Sequence, residues 1–309
     1  MDIGIWSGNN TVATADYLVE VATAAERLGF HSIWVSDHVV WPENYTSRYP
    51  YDPGGKYPAD VNQAFCEALT SMTWISAHTS RIKVGSLVVV VPQREPWLLG
   101  KQLATLDHFN GGRTILGVGM GWLREEFDTL SASFDDRYAR GAEMVSLWRT
   151  MWSQNPASFE GRFWSSPPVG VLPHPVRQSI PVWMGGHGPA ALRRAGQLAD
   201  GWIPFGLDPR ELRDAWQTVK DHAEEAGRDP ASLTCALWAP LWLADPHGTP
   251  YAPMHAAAEQ LLDQLGQYAE AGLQHFSMFN LAPPEAMVDQ LEEIAEQLLP
   301  AVINLKATP

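Results

Sequence analysis

"VATAAERLGFHSIWVSDH", residues 21–38, contains one full cycle of the pattern that decides the fold. Leu18, Val21, Ala22, Ala25 and Leu28 recur at helical spacing, so one face of a helix is buried. Gly29 follows as the residue that most readily takes the left-handed conformation closing a helix. "HSIWVS" (31–36) then reads as a buried strand. Where that strand runs out, an acid and an imidazole stand side by side, Asp37 and His38.

The same cycle recurs along the chain. "IGIW" (3–6) is the strand before the first helix, and a helix over about 63–78 leads to the third strand, "RIKVGSLVVVV" (81–91). Pro96 opens a helix running to about Asp107, and "RTILGVGMG" (113–121) is the fourth strand. In the second half, a helix near 138–152 precedes "IPVWMGG" (180–186), a helix from Pro189 to Ala199 and the short strand "GWIPF". Pro209 opens the next helix, which Gly227 ends, before "LTCALWAPLWLA" (233–244). A helix ending at Gly272, the strand "HFSMF" (275–279) and a helix from Pro284 to about Leu299 complete the series.

Strict alternation of strand and helix predicts a parallel sheet. Eight such units are the number that closes a (β/α)8 TIM barrel; a doubly wound open sheet, with fewer strands, is the alternative. No linker-like break divides residues 1–309, so a single domain is expected. Two stretches exceed a minimal barrel: a Pro/Tyr/Gly-rich insertion at 39–62 after strand two, and another at 153–178 before strand five. Long loops inside compact domains commonly cover binding sites. For the second, capping a barrel end is an equal reading.

Composition bounds the function. The formal charge of −14 argues against a nucleic-acid groove or an anionic membrane surface as partner, because both need clustered cations. Cys66 and Cys235 are the only cysteines, which excludes a disulfide framework and a cysteine-rich metal site. With no signal-peptide pattern in "MDIGIWSG" and no apolar run near membrane-spanning length, a cytoplasmic protein is expected. Fourteen tryptophans suggest a deep aromatic-lined cavity.

Barrel chemistry sits at the C-terminal ends of the strands. Those ends read Trp6-Ser7-Gly8, Ser36-Asp37-His38, the region of Val88, Gly119-Met120-Gly121-Trp122, Gly185-Gly186-His187-Gly188 and the region of Met278. "GVGMG" lacks the G-x-G-x-x-G spacing of a dinucleotide loop; no HExxH or G-x-S-x-G occurs, and the histidines show no metal-ligand spacing. No metal site is therefore expected. "GGHGPAAL" (185–192) is more informative, since glycines before a helix N-terminus let backbone N–H groups approach a phosphate. Such loops also serve merely as tight turns.

Taken together, "SDH" after strand two, "RIKVGSLVVVVPQREP" (81–96), "LATLDHFNGGRTILGVGMGWLREEF" (103–127) and "PVWMGGHGPAALRRAGQLADGW" (181–202) resemble the bacterial-luciferase-like monooxygenases. The likeness spans nearly the whole chain and is strongest to the branch using the deazaflavin coenzyme F-420. It implies a TIM barrel. It places Asp37 and His38 beside the flavin-type ring, with His38 as proton carrier. It also implies a cis peptide at Leu87-Val88 behind the ring, a coenzyme-phosphate site at Gly185, Gly186, His187 and Gly188, and Glu125 close to the cofactor. Sugar-phosphate dehydrogenases of the family carry an acid where Trp122 stands, which favours a more apolar substrate. Trp6, Trp41, Trp122 and Met278 are the expected substrate-pocket residues.

The expected activity is hydride transfer between coenzyme F-420 and a small apolar substrate. A monooxygenase using reduced FMN and molecular oxygen, with a separate reductase as partner, is the alternative, and a non-catalytic flavin-binding barrel is a third reading. The resemblance also implies a homodimer.

Overall fold

The computed structural model describes residues 1–9, 12, 14–243, 254–279 and 283–308, with 254–256 described by backbone only. The chain begins with β1 (Asp2–Trp6), α1 (Ala15–Leu28), β2 (Ser32–Val35), α2 (Ala68–His78), β3 (Lys83–Ser86) and β4 (Val89–Val90). It continues with α3 (Pro96–Asn110), β5 (Thr114–Gly119), α4 (Arg124–Thr129), α5 (Arg137–Ser153), the pair β6 (Ala157–Glu160) and β7 (Ser165–Val169), and β8 (Val182–Met184). Then come α6 (Pro189–Leu198), β9 (Gly201–Trp202), α7 (Pro209–Glu225), β10 (Thr234–Leu243), β11 (Met254–Ala256), α8 (Ala258–Glu270), β12 (His275–Phe279), α9 (Met287–Gln297) and α10 (Leu299–Val302).

The strands run β10-β12-β1-β2-β3-β5-β8-β9 with every pairing parallel, and β9 pairs back onto β10. That last pairing closes the eight-staved barrel, β3 and β4 together forming one stave. The doubly wound alternative is excluded by the closure. Because side chains alternate along a strand, each stave sends one set outward and one inward. The outward set, including Ile3, Ile5, Ile33, Val35, Leu237, Phe276 and Met278, forms the main core with the helices. The inward set is smaller, with Trp34, Leu87, Ile115, Trp183, Ile203 and Ala236 filling the barrel. Large rings fit there because glycine faces them: a Cβ on Gly85 would overlap Trp34, and one on Gly201 would crowd Trp183.

Local signals act where the sequence places them. Thr14 caps α1 by accepting from the Tyr17 N–H, and Gly29 ends it at φ 88°. Asp208 and Glu211 form a reciprocal capping box at the start of α7. Three boundaries differ from the sequence reading. The helix expected from 63 begins only at Ala68, because Glu67 is its cap and accepts from Thr70 N and Oγ1. The third strand breaks at the Leu87-Val88 peptide, which is cis. The insertion at 153–178 is not structureless: β6 and β7 form an antiparallel hairpin, tied to α5 by Glu143, which accepts from the N–H groups of Arg162, Phe163 and Trp164. Ala244, read as the end of the seventh strand, lies outside the described residues.

The tryptophans divide: Trp34, Trp148, Trp152 and Trp202 are fully buried in the core, whereas Trp122 and Trp238 line the aromatic cavity at the barrel mouth.

Candidate active site

A cavity of about 460 Å³ opens at the C-terminal ends of the barrel strands. Its walls come from the end of β2, the cis-peptide break, the end of β5, the loop after β8, and the insertion at 39–62, which contributes Arg48, Tyr49, Tyr51 and Tyr57. The second insertion contributes none of the lining and instead forms the β6–β7 hairpin held by Glu143.

His38 lines this cavity with its ring mostly buried, the side chain 10% exposed. Its Nδ1 lies 2.9 Å from Glu126 Oε2, and Glu126 is 1% exposed. Burial pushes the Glu126 carboxyl up, but the hydrogen bond and charge of His38 and the Val39 N–H outweigh it and hold it below the ordinary range. An ionised carboxylate only accepts, so Nδ1 carries the hydrogen and Nε2 is the nitrogen available to exchange a proton. Around the imidazole stand Trp41 (ring centroids 4.9 Å apart), Phe65 (5.3 Å), Tyr57 (6.0 Å) and Trp122 (6.3 Å).

Asp37 also borders the cavity, but its carboxylate is engaged away from His38. Its carboxylate is held by Arg94, Nη1 to Oδ2 and Nη2 to Oδ1 both at 2.8 Å, and by the Val90 N–H at 2.9 Å. The side chain has no exposed surface. That carboxylate fixes the chain just after the cis peptide, and Arg94 ties it onward to Glu67 at 3.3 Å. The sequence reading paired Asp37 with His38 because they are neighbours, and extended backbone sends neighbours to opposite sides.

Other expected site residues separate in the same way. Leu87, Val88, Gly185, Gly186 and Trp122 line the cavity. His187 and Gly188 are exposed at its rim, Gly188 as the N-cap of α6. Glu125 does not reach the cavity. Its carboxylate accepts from the backbone and hydroxyl groups of Thr46 and Ser47, and so pins the insertion at 39–62. Desolvation opposes ionisation there, but these donors prevail and lower its pKa to about 2. Trp6 lies behind the wall, donating Nε1–H to Ser36 Oγ and packing on Phe279. Trp41 stacks on Phe65 in a layer behind His38. Met278 is wholly buried in the outer core, because it occupies the outward register of β12.

Glycines in "GVGMG" make room for the cis peptide. A Cβ on Gly117 would overlap the Ser86 carbonyl oxygen, and one on Gly119 would overlap Val88. Gly186 adopts φ 88° and its carbonyl accepts from Trp202 Nε1–H, which fixes the glycine loop beneath α6.

Arg94, Glu126, Arg194 and Trp238 were not legible as site residues. Arg194 lines the cavity beside the glycine loop, half-buried over the Tyr138 ring at 4.6 Å. Among the described residues its guanidinium meets no hydrogen-bond acceptor, and burial lowers its pKa. Trp238 Nε1 is buried without a partner in the same cavity. A desolvated cation beside a helix N-terminus, with an unpaired indole donor also on the cavity lining, suits an anionic, ring-bearing ligand.

A family model described as luciferase-like monooxygenase matches residues 1–271. The chain belongs to the luciferase-like monooxygenase family. It is therefore an oxidoreductase. An uncharacterized protein of Mycobacterium tuberculosis is 34% identical to this luciferase-like chain over 212 residues, covering 69% of it and 73% of the relative. An F420-dependent glucose-6-phosphate dehydrogenase of Segniliparus rotundus is 31% identical over 258 residues, 79% of this chain and 71% of that one. Among solved structures, an F420-dependent secondary alcohol dehydrogenase in complex with an F420-acetone adduct superposes with a TM-score of 0.75 at 20% identity, covering 97% and 98% of the two chains. That likeness concerns the barrel alone. No helix among the described residues is long and apolar enough to cross a membrane.

Proposed function

We propose that the protein transfers hydride between coenzyme F-420 and a small, apolar organic substrate. The observation that carries this reading is His38, held by Glu126 at Nδ1, in the wall of a cavity whose glycine-loop side presents an unpaired cation. The name of the Segniliparus relative supports the choice of cofactor.

The residues fit the group. Arg194 and the Gly185-Gly186 loop would hold its anionic portion, Trp238 Nε1–H would donate to it, and the cis Leu87-Val88 segment would back its ring. When bound, the deazaflavin supplies or accepts hydride at carbon 5. His38 Nε2 supplies or removes the accompanying proton, and Glu126 keeps that nitrogen in the required tautomer. Tyr49, Tyr57 and Trp122 enclose the space before His38 with aromatic surface and exclude water from the transfer. That aromatic surface in front of His38 favours an apolar substrate.

A monooxygenase using reduced FMN and molecular oxygen is the second reading, favoured by the description of the family itself. The homodimer and, for the FMN reading, the separate reductase implied by the resemblance belong to the same proposal; light scattering checks the dimer. Fluorescence titration of the cofactor-free protein with oxidised and reduced forms of both cofactors decides between the readings. Micromolar binding of coenzyme F-420 is expected. Micromolar binding of FMN with none of the deazaflavin would overturn the proposal.

A further inference from the structure

At the other end of the barrel, where the strands begin, three side chains converge from neighbouring staves. Asp2 opens β1, His275 opens β12, and His31 immediately precedes β2; β1 lies between the other two. One ligand atom of each lies within 4.8 Å of the others. His31 Nε2 is 3.5 Å from Asp2 Oδ2, and the two imidazole rings meet edge-on with centroids 5.2 Å apart.

The nitrogens are what make this cluster unusual. His275 is 1% exposed, and its Nε2 lies 3.1 Å from Ser277 Oγ and 3.3 Å from Ser32 Oγ. Its Nδ1 is buried and has no hydrogen-bond partner, and neither has the buried Nδ1 of His31. Buried polar atoms are normally paired, so two unpaired imidazole nitrogens in contacting rings need a cause. The proposed reaction, at the opposite barrel face, supplies none.

We propose that Asp2, His31 and His275 form a divalent transition-metal site of the zinc type, which ties the starts of β12, β1 and β2 together. Two imidazoles and a carboxylate are a donor set that Zn²⁺ accepts, with the remaining position left to water. The serine hydroxyls at Nε2 of His275 play the part of the outer hydrogen bonds that orient a ligating ring and leave its other nitrogen to the metal. Lys83 and the N-terminal ammonium are the cations facing the cluster; the latter is engaged by the carbonyls of Val302 and Leu305, and Asp2 supplies the opposing charge.

Metal–ligand bonds of about 2.0–2.2 Å require the three groups to draw closer. His275 is fixed by packing, whereas the side chains of Asp2 and His31 are 57% and 33% exposed and can rotate inward. The bottom face of such a barrel serves stability rather than catalysis, which defines the role of the ion.

The test uses tag-free, chelator-treated full-length protein titrated with ZnCl₂ by calorimetry, with the melting temperature followed in parallel. One saturable site per chain and a rise in Tm are expected. The variants D2N and H31A, altered at partly exposed side chains, should fold by circular dichroism and lose affinity by about 10-fold or more. Cobalt(II) should give visible absorption bands in the parent protein that H31A lacks. Absence of saturable zinc binding, or affinity unchanged in both variants, would overturn the site.

Discussion

Glu126 Oε2 lies 2.9 Å from His38 Nδ1 across 88 positions of chain, while Asp37, the residue next to His38, is bound on its other side to Arg94. Two carboxylates thus divide two tasks. Glu126 sets the tautomer of the imidazole in the cavity, and Asp37 anchors the strand end that carries it.

His38→Ala should lower turnover by about 10²-fold or more while leaving cofactor affinity within a few-fold. Glu126→Gln, which keeps the volume but lets the imidazole turn or change tautomer, should also cost about 10²-fold in kcat. Steady-state kinetics alongside direct cofactor titration separate the two quantities. Unchanged turnover in His38→Ala would reduce this histidine to packing.

Arg194→Ala should weaken cofactor binding by about 10- to 100-fold, the worth of a charge-assisted hydrogen bond, with little change in kcat at saturation. Arg194→Lys should recover part of the loss. A variant that binds cofactor like the parent would remove Arg194 from the anion site.

Asp37→Ala leaves the Arg94 guanidinium buried and short of its main partner, and such a break costs about 3–5 kcal/mol. Urea unfolding should show a lower midpoint at unchanged slope. If Asp37 were instead a proton carrier, Asp37→Asn would abolish turnover with stability intact, and that outcome would refute the positioning role.

Gly117→Ala forces a methyl group onto the Ser86 backbone carbonyl, which cannot rotate away. A loss of about 3 kcal/mol is expected, measured by the same unfolding experiment. Gly29→Ala, where the Cβ meets nothing, should cost only the left-handed backbone penalty of about 1 kcal/mol.

Glu125 has its folded pKa lowered from 4.5 to about 2 by the donors of Thr46 and Ser47. A depressed folded pKa stabilises the anchored loop above the unfolded value and loses that stabilisation as pH falls. Anchoring should therefore be complete above about pH 4.5 and vanish toward pH 2. Hydrogen exchange at the Thr46 and Ser47 amides should quicken across that window, and Glu125→Gln should show faster exchange already at neutral pH.

The barrel was legible because the units repeat one local grammar, an apolar helix face followed by a short apolar strand, with glycine closing α1, α3, α7 and α8. The mouth was legible by the same logic, since strand ends are counted, and His38, Val88, Gly185, Gly186 and Trp122 were named from it, whereas Leu87 came only from the family resemblance. Period-two alternation also limits what counting can do. It shows that Met278 or Phe279, Asp37 or His38, must face inward, without naming which. Register against neighbouring strands made that choice, sending Met278 to the outer core and Asp37 to Arg94. Glu126 rather than Glu125 reached His38 for a related reason: adjacent positions on α4 point about 100° apart, so one enters the cavity wall while the other grips the loop. Local propensity and pattern determined the elements and their order. Which distant side chains met, Glu126 with His38 or His31 with His275, was decided only when the sheet closed, because contacts between staves depend on register and curvature that no single segment encodes.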